Sequence, residues 1–310
     1  MKKFLLSLVV LLVALVGLMA LFPEESTRLA INVGRSASGL EHRTVDLDGE
    51  TWHYLEGGPQ GAGTVLLLHG FGGDKDNWIR FSGFLAGHYR VLVPDLPGFG
   101  ESARHPDWDY SLPSQRDRLG TFVEAMDIES FHLAGNSMGG QLAALYTHKH
   151  PAQVLSLGLF DNAGIAAPEQ SDMQRALANG KMPLILESID DFDNMLAYVS
   201  YETPFIPWPI KGVLAQRALD HAAFNRLIFE DYKEDRFSGL EPILAEIKNP
   251  VLILWGAEDR VLDVSSIEVM QPLLPQAEIV IMEETGHVPM LERPQETASI
   301  YLEFLGNARM

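Results

Sequence analysis

Three polar residues are spaced along the chain in a way that suits nucleophilic catalysis. Ser137 lies in the pattern Gly135-x-Ser137-x-Gly139, the nucleophile elbow, in which a sharp strand-to-helix turn exposes a serine hydroxyl. A serine hydroxyl needs a base to remove its proton and a carboxylate to orient that base. Asp259 and His287 follow in the order acid, then histidine. The sequence therefore predicts a catalytic triad of Ser137, Asp259 and His287 for acyl transfer.

The predicted acid and base each follow an apolar run that is typical of a buried strand. Asp259 comes after the run VLILW, and His287 comes after EIVIM. Because parallel strands present their carboxyl ends at one edge of a sheet, we expect both residues at the edge where ligands bind. Glu258 and Asp263 are the local competitors for the role of the acid.

A glycine-rich loop upstream of the elbow predicts a site for the oxyanion. The loop HGFGG begins at His69 and follows the first apolar run of the body. The backbone N–H groups of Phe71 and Met138 are predicted to converge on the developing alkoxide. We expect His69 to hold this loop. His69 and Asn136, next to the predicted nucleophile, are also candidate substrate-binding residues.

Apolar runs alternating with helical patterns predict an α/β fold. Continuous apolar runs suit strands that are buried on both faces of a parallel sheet, and alternation around Asp48-Gly49 predicts a hairpin. The strands are predicted at residues 44–47, 51–55, 64–68, 90–94, 130–134, 154–160, 251–255 and 278–282. We therefore expect a mostly parallel central sheet with helices on both faces.

Residues 163–236 interrupt this rhythm. They contain helical stretches and a cluster of aromatic residues and prolines, without a convincing buried strand. Inserted between two strands, this segment is expected to form a helical lid over the carboxyl ends of the strands. Tyr198, Phe205 and Trp208, which belong to the cluster, are candidate residues for binding the substrate.

The N-terminus carries a candidate membrane segment. Lys2 and Lys3 precede an uncharged apolar run at residues 4–22, which would be about 28 Å long as a helix, close to the hydrocarbon thickness of a bilayer. A cleaved signal peptide is the alternative, but no convincing small-x-small cleavage site is present. The positive-inside rule then predicts a single-pass anchor in the bacterial inner membrane, with the body in the periplasm.

Residues 23–40 are expected to continue as a juxtamembrane amphipathic helix. Leu29 and Val33 would lie on one face, and Arg28 and Arg35 would contact lipid head groups. The predicted organisation is an anchor (1–22), this helix (23–40), a first core part (41–162), the lid (163–236) and a second core part (237–310). Small residues in the anchor could pair two copies as a homodimer.

Composition excludes several function classes. The chain has 310 residues, a net charge of −19 and no cysteine. Such a negative surface repels nucleic acid, and the lack of cysteine excludes disulfides, thiolate zinc sites and a cysteine nucleophile. No histidine spacing suggests a metal site, and the predicted chemistry requires no cofactor.

Five motifs together resemble the α/β-hydrolase superfamily over about residues 44–305. They are HGFGGDKDNW (69–78), DLPGFGES (95–102), GNSMGG (135–140), WGAED (255–259) and GHVPMLERP (286–294). With the N-terminal segment, the chain is similar to membrane-bound monoacylglycerol lipases, bacterial lipases and esterases, and above all membrane-anchored bacterial phospholipases A. The resemblance implies hydrolysis of acyl esters of glycerolipids or lysophospholipids, with release of fatty acids and without a cofactor.

Other functions remain open at this level. The enzyme could act as a monoacylglycerol lipase or a general esterase. Carbon–carbon bond hydrolases of aromatic ring-cleavage products also use GNSMGG, although they typically carry a Gly-Pro-Gly oxyanion loop where this chain has Gly70-Phe71-Gly72. A receptor that keeps the fold to bind a hydrophobic ligand is a third possibility. Ser137 excludes the relatives that place an aspartate at the elbow.

Overall fold

The computed structural model describes residues 16–233 and 236–308. Most of the run at 4–22 lies outside these ranges; residues 16–21, inside them, are helical. Within the described ranges, no helix combines the length and apolar character needed to cross a bilayer. The proposed anchor therefore stays a prediction from sequence.

Within residues 16–233 and 236–308, eight strands form one central sheet. They are β1 (Leu40–Leu47), β2 (Glu50–Gly57), β3 (Thr64–Leu68), β4 (Arg90–Pro94), β5 (Phe131–Asn136), β6 (Val154–Phe160), β7 (Val251–Gly256) and β8 (Glu278–Met282). The strand order is β1-β2-β4-β3-β5-β6-β7-β8. Pairing is antiparallel from β1 through β2 to β4 and parallel across the rest. The predicted mostly parallel sheet is confirmed.

Apolar side chains alternate between the two faces of the sheet. Leu66 and Leu68 of β3 pack into one core cluster, while Val65 and Leu67 pack into a second. All five positions of β3 are buried, as are all six of β5 and β7. Because helices cover both faces, these strands read as continuous apolar runs in the sequence.

Besides the helical residues 16–21, eleven α-helices of the described residues surround or extend this sheet. They are α1 (Pro23–Ala37), α2 (Ile79–Leu85), α3 (Leu112–Ala125), α4 (Met138–Lys149), α5 (Asp172–Ala178), α6 (Asp191–Val199), α7 (Trp208–Asp231), α8 (Glu241–Leu244), α9 (Ser266–Leu273), α10 (Pro289–Glu292) and α11 (Pro294–Asn307). A short 3₁₀ helix, Lys75–Trp78, precedes α2. Helices α5, α6 and α7 fall in the segment between β6 and β7, where a helical lid is predicted.

Helix α1 is docked on the body rather than free at a membrane surface. Its Arg35 is buried and forms a two-point ion pair with Asp76, with both nitrogen–oxygen distances at 2.7 Å. The expectation that Arg35 contacts lipid head groups is therefore wrong, because its guanidinium is already paired with a carboxylate inside the fold. Leu29 and Val33 are exposed, and Glu24 pairs with Arg217 of α7 at 2.7 Å.

Candidate active site

Ser137 occupies a strained turn between β5 and α4. Its backbone has φ 58° and ψ −123°, a left-handed conformation that is costly for a residue with a side chain. The flanking glycines make this turn possible. A Cβ on Gly135 would lie 2.2 Å from the carbonyl oxygen of Gly139, and one on Gly139 would lie 2.5 Å from that of Leu68. Ser137 thus stands at the positive end of α4, with its side chain largely buried.

The structure brings His287 and Asp259 into direct contact. His287 Nδ1 lies 2.7 Å from Asp259 Oδ2, and because a carboxylate can only accept, Nδ1 carries the hydrogen. The other oxygen, Oδ1, accepts the backbone N–H groups of Val261 at 2.7 Å and Leu262 at 3.1 Å. These bonds hold Asp259 as the ionised partner of the imidazole, which leaves Nε2 as the ring's acceptor.

Neither competing acid lies at this position. Glu258 accepts the backbone N–H of Thr285 at 2.9 Å, and Asp263 accepts that of Ser265 at 3.0 Å. Both carboxylates stabilise loops, and Asp259 alone of the three bonds His287.

Asn136 joins the elbow to the histidine loop. Its side-chain nitrogen donates to the carbonyl oxygens of His287 at 2.9 Å and Phe160 at 3.1 Å. Asn136 is buried, and both amide hydrogens are used. The structure therefore places this predicted substrate-binding residue in a supporting position.

The predicted oxyanion loop packs directly on the elbow. A Cβ on Gly70 would lie 3.0 Å from the Cβ of Ser137, so the loop and the candidate nucleophile are in contact. Phe71 packs its ring edge-on against Phe99 and against Phe229 of α7. Met138 is the first residue of α4 and is buried. The loop and the start of α4 therefore meet beside Ser137, as the oxyanion prediction requires.

His69 has a structural position in this loop. Its Nε2 accepts the N–H of Leu96 at 3.0 Å, and its Nδ1 donates to the carbonyl oxygen of Gly70 at 2.8 Å. Burial lowers the pKa of the His69 imidazole, so the ring stays neutral. With both nitrogens occupied, His69 positions the loop rather than a substrate.

A buried ion pair involves Lys75, which closely follows this loop in the chain, and the sequence analysis did not predict it. Lys75 Nζ lies 2.7 Å from Asp95 Oδ2 and 2.6 Å from Glu101 Oε2, and Asp95 also accepts the backbone N–H of Lys75 at 2.7 Å. Burial alone would lower the pKa of Lys75, but the surrounding carboxylates outweigh it and the pKa is raised. Lys75 lies in the motif DKDNW, and Asp95 and Glu101 lie in DLPGFGES. These two motifs were the only sequence features that could have indicated the ion pair.

The three predicted lid residues have different surroundings. Phe205 is 92% exposed and Trp208 68% exposed, so both face solvent. Tyr198 is half-buried and stacks under the guanidinium of Arg260 at 4.9 Å. A polar cavity of about 390 Å³ borders Asp259, with Ser200 and Arg260 among its lining residues. Ser137 does not line it.

In the part of the chain that the structure describes, two clusters have side chains close enough to hold a metal ion, namely His42, His53 and Glu101, and Asp161, Asp259 and His287. In the first, ring nitrogens of the two histidines face each other at 3.0 Å and Glu101 bonds Lys75. In the second, Asp259 and His287 bond each other. Protein groups account for these contacts, and we assign neither cluster as a metal centre.

Comparison with known proteins places these features among lipid hydrolases. Residues 65–300 match the Alpha/beta hydrolase family. The chain is 36% identical to Lipase 1 of Psychrobacter immobilis, over 90% of this chain and 88% of the relative. It is 30% identical to Monoacylglycerol lipase ABHD6 of Rattus norvegicus, over 97% of this chain and 93% of the relative.

A solved structure shows the same architecture. The crystal structure of a membrane phospholipase A, described as a bacterial virulence factor, superimposes with a TM-score of 0.91 at 46% sequence identity. The match covers 100% of this chain and 99% of that chain.

Proposed function

The chain belongs to the alpha/beta hydrolase family and is a lipase/esterase-type hydrolase acting on lipids, and we propose that within this group it cleaves glycerolipid acyl esters as a phospholipase A or lysophospholipase. The observation that carries the catalytic part is the His287–Asp259 bond of 2.7 Å beside the strained turn at Ser137. The 46% identity to a membrane phospholipase A supports the choice of substrate class.

The reaction begins at the serine hydroxyl. His287 Nε2 takes the proton of Ser137 while Oγ attacks the ester carbonyl carbon. The backbone N–H groups of Phe71 and Met138 stabilise the oxyanion that forms. His287 then returns the proton to the departing alcohol, here the glycerol part of the lipid. Water repeats the sequence on the acyl-enzyme and releases the fatty acid.

Asp259 acts through the imidazole. Its carboxylate keeps Nδ1 protonated, so that Nε2 is free to accept, and it stabilises the imidazolium formed during attack. The N–H groups of Val261 and Leu262 hold the carboxylate in place. No metal or cofactor is needed for these steps.

We further propose that residues 4–22 anchor the enzyme in the inner membrane, with the body in the periplasm, and that residues 163–236 form the lid. The distribution of exposed apolar side chains supports contact with lipid. Leu18, Leu21 and Phe22 before α1 and Phe205 and Trp208 in the proposed lid are all at least 50% exposed. Pairing of two copies through the anchor remains part of this proposal.

A direct comparison of substrates tests the assignment. Purified full-length protein in detergent is given a phospholipid, a lysophospholipid, a monoacylglycerol and a ring-cleavage dienoate, with S137A as the control. We expect fatty acid release from the phospholipid and lysophospholipid, and none from S137A. Preference for the monoacylglycerol would support the lipase alternative, and preference for the dienoate would overturn the lipid assignment.

The anchor is tested separately by deleting residues 1–22. Activity should move from the membrane fraction to the soluble fraction. If the mature full-length protein begins near Phe22 instead, the segment is a cleaved signal peptide.

A further inference from the structure

A second buried carboxyl group lies against the predicted catalytic acid. Asp161 directly follows β6, and Asp259 comes three residues after β7, the neighbouring parallel strand. Ligating atoms of Asp161, Asp259 and His287 all lie within 4.8 Å of one another. Asp161 is 0% exposed. The two strands therefore bring two carboxyl groups to one histidine in a dry environment.

Asp259 accepts more hydrogen bonds than Asp161 does. Asp259 accepts three hydrogen bonds, from His287 and from the N–H groups of Val261 and Leu262. Asp161 accepts one, from the N–H of Gly256 to Oδ1 at 2.8 Å. Its other oxygen, Oδ2, is buried and accepts no hydrogen bond from any described residue. Asp259 is thus stabilised as an anion, and Asp161 is not.

The charged groups that face Asp161 would not stabilise a negative charge on its carboxyl group. Asp259 and Glu292 both repel a negative charge there, and His287 is already bonded to Asp259. Two carboxylates this close in a buried site cannot both ionise at neutral pH. Burial, followed by the nearby Asp259 carboxylate, raises the pKa of Asp161 well above its usual range.

We propose that Asp161 is a protonated carboxylic acid whose Oδ2–H donates a hydrogen bond to Asp259, so that Asp161 is a positioning residue for the catalytic acid. This donor completes the set around Asp259 and restrains its carboxylate at the angle that His287 requires. Asp161 adopts a left-handed backbone conformation, with φ 45°, and its own N–H donates to the carbonyl oxygen of Leu254 at 2.9 Å. This bond and the bond from Gly256 attach Asp161 to β7. The role of Asp161 in catalysis rests on the proposed ester hydrolysis, whereas the protonation of its carboxyl group does not depend on that function.

Infrared spectroscopy tests the protonation state without any substrate. In the difference spectrum between wild-type protein and D161N at pH 7, we expect the C=O stretch of one protonated carboxylic acid, which a carboxylate lacks. Raising the pH should convert it to a carboxylate signal. In D259N, where the neighbouring negative charge is gone, that conversion should occur at lower pH. Absence of the protonated band at pH 7 would show an ionised Asp161 and overturn the proposal.

Kinetics test the positioning role. D161N keeps an acceptor for the N–H of Gly256 and a donor for Asp259, so we expect its kcat/KM to be within about threefold of wild type. Because the amide does not titrate, the alkaline limb of the pH profile of kcat/KM should change. D161A removes the donor and should lower kcat by about tenfold or more, with KM less affected. Melting temperatures are measured for both variants.

Equal losses in D161N and D161A, with the wild-type pH profile retained in both, would mean that Asp161 serves the fold alone. If wild-type protein cleaves no ester, the proposed function fails, while the infrared result still decides whether the carboxyl pair shares a proton.

Discussion

Asn136 bonds the carbonyl oxygen of His287 at 2.9 Å, although 151 positions separate the two residues in sequence. The same side chain bonds the carbonyl oxygen of Phe160. The strand that delivers the nucleophile is therefore attached directly to the loop that delivers the base. Catalysis requires the nucleophile and the base to keep a fixed distance. The buried amide of Asn136, next to Ser137, contributes to this by bonding the backbone of His287.

Replacing this amide should impair catalysis as well as stability. N136A removes a donor from the carbonyl oxygens of His287 and Phe160, of which Phe160 still accepts the N–H of Ser137, and we expect this to cost about 1–3 kcal/mol in unfolding free energy. We also expect kcat to fall, because His287 loses a restraint. Urea unfolding and steady-state kinetics measure the two effects.

N249A is the matched control for N136A. Asn249 also donates its side-chain amide to two carbonyl oxygens, those of Pro151 and Val154, away from the proposed active site. N249A should lose stability and keep kcat/KM. Equal kinetic losses in the two variants would contradict a specific role for Asn136.

The buried ion pair of Lys75 with Asp95 should be sensitive to removal of one partner. K75M leaves the fully buried Asp95 carboxylate without its cation, and breaking a buried pair in this way costs about 3–5 kcal/mol. K211M removes the exposed pair with Asp193 and should cost at most about 1 kcal/mol. Unfolding by urea gives both values. Similar small losses would mean that the buried pair contributes little to the fold.

Glycine at position 139 should be indispensable. In G139A the new Cβ would lie 2.5 Å from the carbonyl oxygens of Leu68 and His69, so the elbow cannot keep its shape and activity should be lost. G120A is the control, because a Cβ on Gly120 in α3 meets nothing within 4 Å. It should raise stability by about 0.5–1 kcal/mol and leave kcat unchanged. An active G139A enzyme would contradict the packing seen at the elbow.

Stability should fall as the pH rises from about 4 to about 7 because of Asp74. Burial, with repulsion from Asp76 and Asp95, raises the pKa of Asp74 to about 7. Between about pH 4, where the unfolded carboxyl titrates, and pH 7, only the folded protein keeps this proton. The contribution is therefore complete at low pH and is lost as the pH rises through the folded pKa.

D74N separates this contribution from other titrations. Asparagine keeps the helix cap and removes the negative charge. The melting temperature of D74N should therefore exceed that of wild type at pH 8, with the difference shrinking towards pH 4. A constant difference across this range would rule out the raised pKa.

The sequence predicted the sheet and the three predicted catalytic positions because both depend on local patterns. Buried parallel strands leave continuous apolar runs, and their carboxyl ends meet at one edge, so Asp259 could be paired with His287 before any contact was known. The structure brings these two together, while the catalytic roles await the experiments above.

Features that depend on tertiary packing were not predictable in this way. An aromatic residue has the same hydropathy in a pocket or in solvent, so the sequence could not predict that Phe205 and Trp208 are exposed. Arg35 looked free on an amphipathic helix because its partner, Asp76, lies 41 positions away. The sequence also contained no sign that Asp161, which follows β6, lies against Asp259, which follows β7, because 98 positions separate the two residues.

The attachment of the histidine loop to α6 limits how the proposed lid can open. His287 donates its backbone N–H to Val199, the last residue of α6, at 2.9 Å. Glu292 fastens the same junction by accepting N–H groups from both Gly286 and Tyr201. A swing of α6 away from the sheet would carry the base out of alignment with Ser137. We therefore expect any opening of the proposed lid that preserves turnover to pivot beyond Tyr201 and to leave α6 in place.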